Sequence, residues 1–355
     1  MQYQTSTQLR VGSWPGRDYH NPFVRNFCQS LVKSRVSVID VSDPRQVAAS
    51  EIDVLHIHWP EKVFWDGGSF LRVIVRLFGT LKALRKLKQS GVTLVWTVHN
   101  VRPHDLAVRF KPLWTYYLSQ LGELIDGFVT LSPATVDVVR QKIHWLRKTR
   151  AIYAWHPPYP REPMTRDVDS VRRDLGIGHD EYLFGFLGMI RPYKGVEELI
   201  QAFRKLEGNG YSLLIAGAPV PDEYASQIGA LAAEDRRIHL VLRSLTDLEF
   251  SSYAAAADTL VLPFRDNLHS GSLVHAVSQH KTALTPETPF SRNLGEVVGR
   301  EWVQTYSTPL TPEVLLSAKP AKGLPSLDAL DVSDSGTKLA EFYRSLIEEK
   351  HGTAA

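Results

Sequence analysis

The sequence predicts an α/β protein built from two doubly wound, Rossmann-like units. Short apolar runs such as VSVID (36–40), VTLVWTVH (92–99) and YLFGFLG (182–188) alternate with segments of helical periodicity. Strands that alternate with helices are typical of a parallel sheet covered by helices on both faces. The alternation stops once, at AWHPPYPREP (154–163), which holds four prolines in ten residues. We therefore predict a domain boundary within this stretch.

Each element of the first unit is predicted from its own pattern. Strands are expected where short apolar runs are bounded by turn-forming residues: LRVGSW (9–14), VSVID (36–40), DVLHIHW (53–59), VTLVWTVH (92–99) and GFVTLS (127–132). Helices are expected where apolar residues recur every three or four positions: PFVRNFCQSLVKS, residues 69–90, residues near 111–121 and a segment beginning at SPATVDVV.

The second unit repeats this alternation. Its predicted elements are the strand YLFGFLG, the helix VEELIQAFRKL, the strand SLLIAGAP, a helix over 222–234, the strand IHLVL, a helix near 246–256, the strand TLVLPF, a helix after HSGS and the strand KTALTP. A last helix is predicted at TKLAEFYRSLIEEK (337–350). We expect an N-terminal domain over 1–158, a second domain over 159–334, and a C-terminal helical segment over 335–355 that packs back toward the first domain.

The composition argues against several classes of protein. The chain has 355 residues, of which 43% are hydrophobic and 22% charged, and a formal net charge of +3. This balance is ordinary for a soluble protein and too even for a dedicated nucleic-acid binder. Cys28 is the only cysteine, so we expect it in the core of a protein from a reducing, cytoplasmic setting. We also expect no secretory leader and no membrane-spanning segment.

The stretch GMIRPYKG (188–195) places two cations between a predicted strand and a predicted helix. A helix start presents unpaired backbone N–H groups and the positive end of the helix dipole. Arg191 and Lys194 would add two charges to such a site, which then suits a diphosphate. The alternative is an exposed turn with two solvated cations.

A second helix start of this kind lies in NLHSGSLVHAVS (267–278), again after a predicted strand. Ser270 is a suitable N-cap residue, and a glycine follows it. The backbone N–H groups of Gly271, Ser272 and Leu273 are predicted to hold phosphate oxygens. An ordinary helix cap is the alternative.

Polar side chains of the first unit collect after two predicted strands, in HIHWPEK (56–62) and TVHNVRPHD (97–105). The candidates are His58, Glu61, His99, His104 and Asp105. Histidines and carboxylates at one sheet edge suit acid–base catalysis or the binding of hydroxyl groups. Any one of these histidines could instead be a structural residue with its hydrogen bonds satisfied. Zinc binding is a weaker interpretation, because the chain has no HExxH motif and its cysteine is distant in sequence.

The helix predicted over 70–88 is strongly basic. Its cations are Arg72, Arg76, Lys82, Arg85, Lys86 and Lys88, and no acidic residue occurs between positions 67 and 104. A basic amphipathic helix of this kind can lie on an anionic membrane, with HWLRKTR (144–150) extending the patch. A packed helix with a solvated basic face, or a polyanion-binding surface, are the alternatives.

Several of these motifs together resemble a known family. GMIRPYKGVEELI, LLIAGAP, AAADTLVLPF and SGSLVHAVSQHKTALTP resemble the second domain of GT-B glycosyltransferases. HIHWP and WTVHNVRPH resemble the first domain of a bacterial branch related to the family-four group. The resemblance covers residues 10–310 and implies the GT-B fold, with two Rossmann-like domains facing across a cleft. It implies that the first domain binds an acceptor and the second a nucleotide sugar.

The resemblance also assigns roles to particular residues. It implies that Arg191, Lys194 and the helix start after Ser270 hold the donor diphosphate, and that His99 lies near the reacting centre. As catalytic residues we predict His99, Glu61 and Asp105, one of which would be the general base. Nucleotide or sugar contacts are expected from Gly188, Asn267, His269 and His275. Acceptor contacts are expected from His58, Asn100, His104 and Asn21.

One departure from the family pattern bears on the reaction. Retaining family-four enzymes carry two glutamates eight residues apart, where this chain has Asn267 and His275. The pattern is closer to bacterial β-mannosyltransferases that extend lipid-linked oligosaccharides, which are inverting and use GDP-mannose. We therefore expect an inverting transfer from GDP-mannose to a lipid-linked glycan in surface or exopolysaccharide assembly. The protein would lie in the cytoplasm against the inner face of the cell membrane.

Other interpretations stay open at this point. They are a retaining UDP-sugar-dependent glucosyl or glucuronosyl transferase, a nucleotide-sugar epimerase-type enzyme, and an inactive membrane-associated scaffold of the same fold. We expect no cofactor and no metal requirement, because the two cations stabilise the leaving diphosphate and no DxD-like carboxylate pair is present.

Overall fold

The computed structural model describes residues 8–16, 22–64, 69–103, 106–164, 166–264 and 267–352. The chain divides into two compact units, one of Met1–Pro157 with Leu330–Ala355 and the other of Pro158–Ala329. The division therefore falls inside the proline-rich stretch, and the end of the chain belongs to the first unit. The acceptor-binding and donor-binding roles of the two units stay predictions.

The first unit is a parallel α/β sheet. Its elements are β1 (Arg10–Trp14), α1 (Pro22–Lys33), β2 (Ser37–Asp40), β3 (Val54–Ile57), α2 (Phe70–Gln89), β4 (Thr93–Thr97), α3 (Lys111–Leu124), β5 (Gly127–Thr130), α4 (Pro133–Lys142) and β6 (Arg150–Tyr153). The strands are parallel and lie in the order β2-β1-β3-β4-β5-β6. β3 and β4 are buried along their whole length, as central strands are when helices cover both faces.

The second unit is also a parallel α/β sheet. Its elements are α5 (Val168–Asp174), β7 (Tyr182–Leu187), α6 (Val196–Arg204), β8 (Tyr211–Ala216), α7 (Tyr224–Ala232), β9 (Ile238–Val241), α8 (Asp247–Ala256), β10 (Thr259–Val261), α9 (Gly271–Ser278), β11 (Ala283–Pro286), α10 (Pro289–Val298), β12 (Val303–Tyr306) and α11 (Pro312–Ser317). The strand order is β12-β11-β10-β7-β8-β9. The predicted fold class of two Rossmann-like α/β units is confirmed.

The strand orders give each sheet one switch point. In the first sheet the chain builds β2 on one side of β1 and then β3 on the other. In the second it builds β8 and β9 on one side of β7 and then returns to place β10 on the other. Loops that follow two such strands diverge, which opens a crevice at their carboxyl ends where ligands bind in open α/β sheets.

The last helix, α12 (Val332–Gly352), packs along α1 of the first unit. Gly336 permits the close approach, because a Cβ atom there would lie 2.2 Å from the carbonyl oxygen of Ser30. Nearer its end, Lys350 Nζ donates a hydrogen bond of 2.8 Å to Asp126. The helix begins earlier than the predicted 337–350.

Some elements lie where the sequence predicts none, namely β6, α5, α10, β12 and α11. β6 and β12 are edge strands of four residues with partly exposed side chains, so neither shows the continuous apolar run of a central strand. Within the described part of the chain, no helix combines the length and the apolarity needed to cross a membrane.

Candidate functional site

The switch point of the second unit brings together the two predicted phosphate-binding segments. β7 and β10 are direct neighbours, with Phe184 opposite Thr259. Arg191 and Lys194 lie in the loop that follows β7, and Ser270 lies in the loop that follows β10. The two loops therefore leave the sheet at the same edge, at the position where this fold class binds ligands.

Two glycines shape the loop after β7. Gly188 has a φ of 109°, and nothing lies within 4 Å of the place where its side chain would be. Gly195 has a φ of 72°, and a Cβ atom there would lie 2.3 Å from the carbonyl oxygen of Pro263. Glycine adopts such dihedral angles without strain. The contact at Gly195 holds the end of this loop against the segment that follows β10.

Lys194 is a buried cation. Its side chain is 7% exposed, and its Nζ lies 5.5 Å from the centre of the Phe264 ring. Burial, and then the charge of Arg191, lower the pKa of Lys194 to about 8. A desolvated ammonium group beside a second cation is unfavourable without a negative charge close by. An anion bound at this edge would remove the penalty.

The start of α9 supplies hydrogen-bond donors at the same edge. Ser270 is the N-cap residue, and its Oγ accepts a hydrogen bond of 3.1 Å from the backbone N–H of Leu273. This corrects the prediction for Leu273, whose N–H group is already occupied by the cap. Gly271 and Ser272 begin the helix, where backbone N–H groups have no partner within the helix. We call Arg191, Lys194, Ser270, Gly271 and Ser272 the cationic cradle.

The residues predicted to contact the nucleotide or sugar surround α9. Asn267 is half-buried in the loop before the helix. His269 is 9% exposed, and its ring meets Phe290 edge-on. The ring of His275 is stacked between Phe250, at 3.8 Å, and Tyr159, at 4.4 Å between centroids. Both faces of the His275 ring are therefore covered by aromatic rings.

The switch point of the first unit lies between β1 and β3. His58 follows β3, and its backbone N–H donates to the carbonyl oxygen of Trp14 at the end of β1. His99 follows β4, the next strand of the sheet. The carboxyl edge of this sheet therefore carries both histidines.

His99 is half-buried in an aromatic setting. The Trp59 ring stacks on it with centroids 4.2 Å apart and 17° between planes. Phe23 meets it at 90° and 4.7 Å. Its Nε2 lies 3.4 Å from Nδ1 of His58. These contacts hold the imidazole of His99 in one orientation while part of it stays open to solvent.

His58 lies beneath His99 and is only 1% exposed. Burial lowers the pKa of His58 to about 3, so the ring is neutral at physiological pH. Acceptor contact by His58 stays a prediction, and the burial of its side chain argues against direct contact. Its side chain is covered by Phe27 and His99, among other rings.

Glu61 is 7% exposed in the 3₁₀ turn after β3. Burial raises the pKa of its carboxyl group to about 7. Burial, and then the charge of Glu61, raise the pKa of its neighbour Tyr117 in α3. A carboxyl group with a pKa near neutrality is suited to general acid–base work, so Glu61 stays a catalytic candidate.

Of the remaining predicted residues of the first unit, the structure describes one and leaves three outside its described ranges. Asn100 is half-buried next to His99. Asn21, His104 and Asp105 lie outside the described residues. Among the residues that are described, no group of three His, Cys, Asp or Glu side chains forms a potential metal site. Metal-independent activity stays a prediction.

The sequence interpretation missed the layer that supports the histidines. Nδ1 of His56 lies 2.6 Å from the hydroxyl of Tyr343, and its Nε2 lies 2.6 Å from Oγ1 of Thr97. The His56 and His58 rings are 4.7 Å apart. Their two-residue spacing on an extended strand places them on one face of the sheet, which was available from the sequence. The Tyr343 contact was not, because 287 positions separate it from His56.

Some basic side chains of α2 are paired with neighbouring residues, and others are exposed to solvent. Lys88 pairs with Asp126 at 3.2 Å, and Arg85 bonds to the side chain of Gln120. Arg72, Lys82 and Lys86 are exposed. The helix also has an exposed apolar stripe, formed by Leu71, Val75 and Phe78, which are 68%, 62% and 48% exposed.

Comparison with known proteins shows which proteins this chain resembles. Residues 167–274, which include the cationic cradle, match the family described as Glycosyl transferases group 1. GDP-mannose:glycolipid 4-beta-D-mannosyltransferase from Xanthomonas campestris pv. campestris is 28% identical over 265 residues, covering 74% of this chain and 69% of the relative.

Solved structures agree on the fold. HepE from Anabaena, in complex with UDP and glucose, superposes with a TM-score of 0.61 at 11% identity, over 98% of this chain and 99% of its own. An α,α-trehalose-phosphate synthase (UDP-forming) from Burkholderia vietnamiensis gives 0.64 at 11% identity, over 97% and 100%. Both likenesses concern the fold alone.

Proposed function

We propose that this chain, a glycosyltransferase of the GT-B fold, transfers mannose from GDP-mannose to a hydroxyl group of a lipid-linked glycan. The observation that carries the proposal is the buried ammonium of Lys194 beside Arg191, at the switch point where α9 begins. The name of the Xanthomonas relative supports GDP-mannose as donor and a glycolipid as acceptor. Assembly of a surface polysaccharide is the setting that such an acceptor favours.

The proposed chemistry is a single inverting displacement. A general base takes the proton of the acceptor hydroxyl, whose oxygen attacks the anomeric carbon. The bond between that carbon and the phosphate oxygen breaks, and GDP leaves with its negative charge. Arg191, Lys194 and the N–H groups at the start of α9 would stabilise that charge, so that no metal is required.

We assign the general base to His99. Its ring is held in place yet partly exposed at the carboxyl edge of the sheet, which a base needs to reach a substrate hydroxyl. Glu61 is more deeply buried, although its pKa is suitable. The structural support for His99 is therefore accessibility, and the support for Glu61 is its pKa.

The first experiment measures donor choice and stereochemistry together. Purified protein is incubated with GDP-mannose, UDP-glucose or UDP-glucuronic acid and a membrane-extracted lipid-linked acceptor, with and without EDTA. We expect β-linked mannose by NMR, from GDP-mannose only, and equal activity in EDTA. An α-linked product, or transfer from a UDP-sugar, would overturn the inverting mannosyl assignment. Failure of every nucleotide to bind would favour the inactive scaffold.

The second experiment separates the two candidate bases. We expect His99→Gln to lower kcat by about 100-fold or more, in the range of general-base contributions, with GDP binding unchanged. Glu61→Gln is close to isosteric and should retain most activity. The reverse order of effects would transfer the role of base to Glu61.

We further propose that the exposed stripe of α2 contacts the membrane. Leu71, Val75 and Phe78 recur at helical spacing on one face of α2, with the exposed cations Arg72 and Lys82 on the same helix. Phe78 lies beside Tyr116 of α3, which is also exposed. An apolar stripe beside cations is the arrangement by which amphipathic helices bind anionic lipid surfaces.

Vesicle sedimentation tests this contact. We expect the protein to bind vesicles that contain phosphatidylglycerol more strongly than pure phosphatidylcholine vesicles. The double variant Leu71→Ser, Phe78→Ser should reduce vesicle binding several-fold, because it removes apolar surface that would insert into the lipid. The matched control is Leu316→Ser, Leu324→Ser, which alters exposed leucines of the second unit. Equal loss in both double variants would contradict a site on α2.

A further inference from the structure

The imidazole of His99 is fixed from three directions. Trp59 covers one region of the ring by stacking, and Phe23 meets the ring edge-on. The third contact is polar: Nε2 of His99 lies 3.4 Å from Nδ1 of His58. Aromatic contacts restrict the tilt of a ring, but only a hydrogen bond distinguishes one ring nitrogen from the other.

Burial of the His58 imidazole at this position is energetically unfavourable. Its side chain is 1% exposed, and its Nε2 atom has no hydrogen-bond partner among the described residues. Within the same described part of the chain, its one ring hydrogen bond is to His99. A buried polar atom without a partner is destabilising, because it loses its hydrogen bonds to water. Packing with Phe27 and His56 would be served as well by an apolar side chain of similar size, so packing does not account for an imidazole here.

We propose that His58 is a positioning residue that fixes the orientation and the protonated nitrogen of His99. This inference rests on the proposed role of His99 as general base. In it, Nε2–H of His99 donates to Nδ1 of His58, and His58 carries its own proton on Nε2. The lone pair on Nδ1 of His99 is then the one that takes the proton of the acceptor hydroxyl.

The arrangement serves both protonation states of His99. When His99 has taken up the proton, both of its ring nitrogens are donors. A neutral His58 still accepts from Nε2–H, because burial keeps its pKa at about 3, far below physiological pH. A protonated His58 would have no lone pair to offer, because both ring nitrogens of an imidazolium are donors. His58 thus supports the imidazolium form without competing for the proton.

His58 is itself held by a second layer. Its ring lies 4.7 Å from that of His56, and His56 is fixed at both nitrogens by Thr97 and Tyr343. The bonds from Thr97 and Tyr343 are made by His56 and not by His58. They do not touch the hydrogen bond between His58 and His99, which makes Tyr343 a suitable position for a control.

The test compares three variants of His58 in the full-length protein. Asn places an amide atom near the position of Nδ1, Gln extends its amide beyond it, and Leu has no polar atom. Histidine ring ¹⁵N spectra of the free protein report the tautomer of His99, and steady-state kinetics report kcat and KM. We expect His58→Asn to keep the wild-type tautomer and most of kcat.

We expect His58→Gln and His58→Leu to give a mixture of His99 tautomers. Their kcat should fall about 10- to 100-fold, a part of what a general base contributes, with KM for the donor changed little. The control Tyr343→Phe loses a buried hydroxyl in the same core and should keep both the tautomer and kcat. If His58→Leu does not fold, the His99 tautomer and kcat of His58→Asn are compared with those of His58→Gln to test the inference.

Two outcomes would overturn the inference. One is an unchanged His99 tautomer in His58→Gln and His58→Leu. The other is an equal loss of kcat in Tyr343→Phe and all three His58 variants, which would indicate a purely structural effect. Because the spectra are recorded without substrate, they test His58 separately from the proposed reaction. A wild-type protein that binds no nucleotide would instead refute the proposed function.

Discussion

At the residue scale, each unit buries an ionisable side chain, Lys194 in the second unit and His58 in the first, and burial has a different consequence for each. Lys194 is a cation kept out of water with another cation beside it, an arrangement that an anionic ligand would relieve. His58 is a base kept neutral, so that it can remain a hydrogen-bond acceptor. In both cases burial changes the pKa, and the direction follows from the cost of desolvating the charged form.

The pKa of Lys194 predicts the pH dependence of donor binding. Lys194 is charged below its pKa of about 8 and neutral above it. A diphosphate attracts only the charged form, so binding takes up a proton, and affinity for GDP should fall between pH about 7 and about 9. Lys194→Met should bind GDP about tenfold more weakly at pH about 7, the effect of losing one charged hydrogen bond, and should lack this pH step. Isothermal titration calorimetry measures both.

Lys281 provides the matched control for that experiment. It is also a largely buried lysine of the second unit whose pKa is lowered to about 8, with burial as the main cause. Its Nζ donates to the carbonyl oxygens of Ala255 and Ala257. Lys281→Met should lower stability and leave the pH dependence of GDP binding intact. A pH step that disappears in Lys281→Met and persists in Lys194→Met would contradict the assignment.

At the element scale, the start of α9 combines a helix cap with a predicted ligand site. Ser270 Oγ accepts from the N–H of Leu273, while its hydroxyl proton stays available to a phosphate oxygen. The helix α8 offers a comparison, because Thr246 caps it in the same way, with the N–H of Glu249. In both caps the side-chain oxygen accepts from the backbone N–H three residues on, and Thr246 also forms a capping box with Glu249. Of the two, only the cap of α9 follows β10 at the switch point.

Substitution of Ser270 separates its two tasks. Ser270→Ala should lower the free energy of unfolding by about 1 kcal/mol, whereas Ser270→Gly should cost only a few tenths because glycine is an acceptable cap. Both should weaken GDP binding several-fold, since both lose the hydroxyl. Thr246→Ala should lower stability by about 1 kcal/mol with no change in GDP affinity. Wild-type GDP affinity in Ser270→Gly would limit Ser270 to capping.

At the scale of the whole molecule, the chain returns to complete its first unit. α12 is last in sequence, yet it packs on α1, and Tyr343 supplies one of the hydroxyls that hold His56. The stability of the first unit therefore depends on residues separated from it by the entire second unit. Gly336 lies directly against the backbone of Ser30 in this contact.

A side chain at Gly336 should destabilise the first unit selectively. Gly336→Ala forces α12 away from α1, and we expect a cost of about 1–3 kcal/mol, as for overpacked cores. Hydrogen exchange should show lost protection in α1 and α12 and unchanged protection in β7 and β8. Gly352→Ala is the control, because a Cβ atom there meets nothing within 4 Å. Uniform loss of protection in both units would contradict this expectation.

The sequence predicted the central strands and most of the helices that connect them. Buried parallel strands such as β4 and β7 can be predicted because they are continuous apolar runs in the sequence. The edge strands β6 and β12 do not, because their side chains are partly exposed. The motif around Arg191 and Lys194 was also readable, since a strand, two cations, a glycine and a helix follow one another within a few residues.

What the sequence determined by itself was the alternation of strands and helices and the position of GMIRPYKG between a strand and a helix, because both are local patterns. Tertiary structure decided which of two neighbouring histidines is accessible: His99 is half-buried and His58 is covered. It also decided that the N–H of Leu273 belongs to a cap and that Tyr343 supports His56. These features depend on burial and on contacts between residues that are distant in sequence, which the local spacing of residues does not determine.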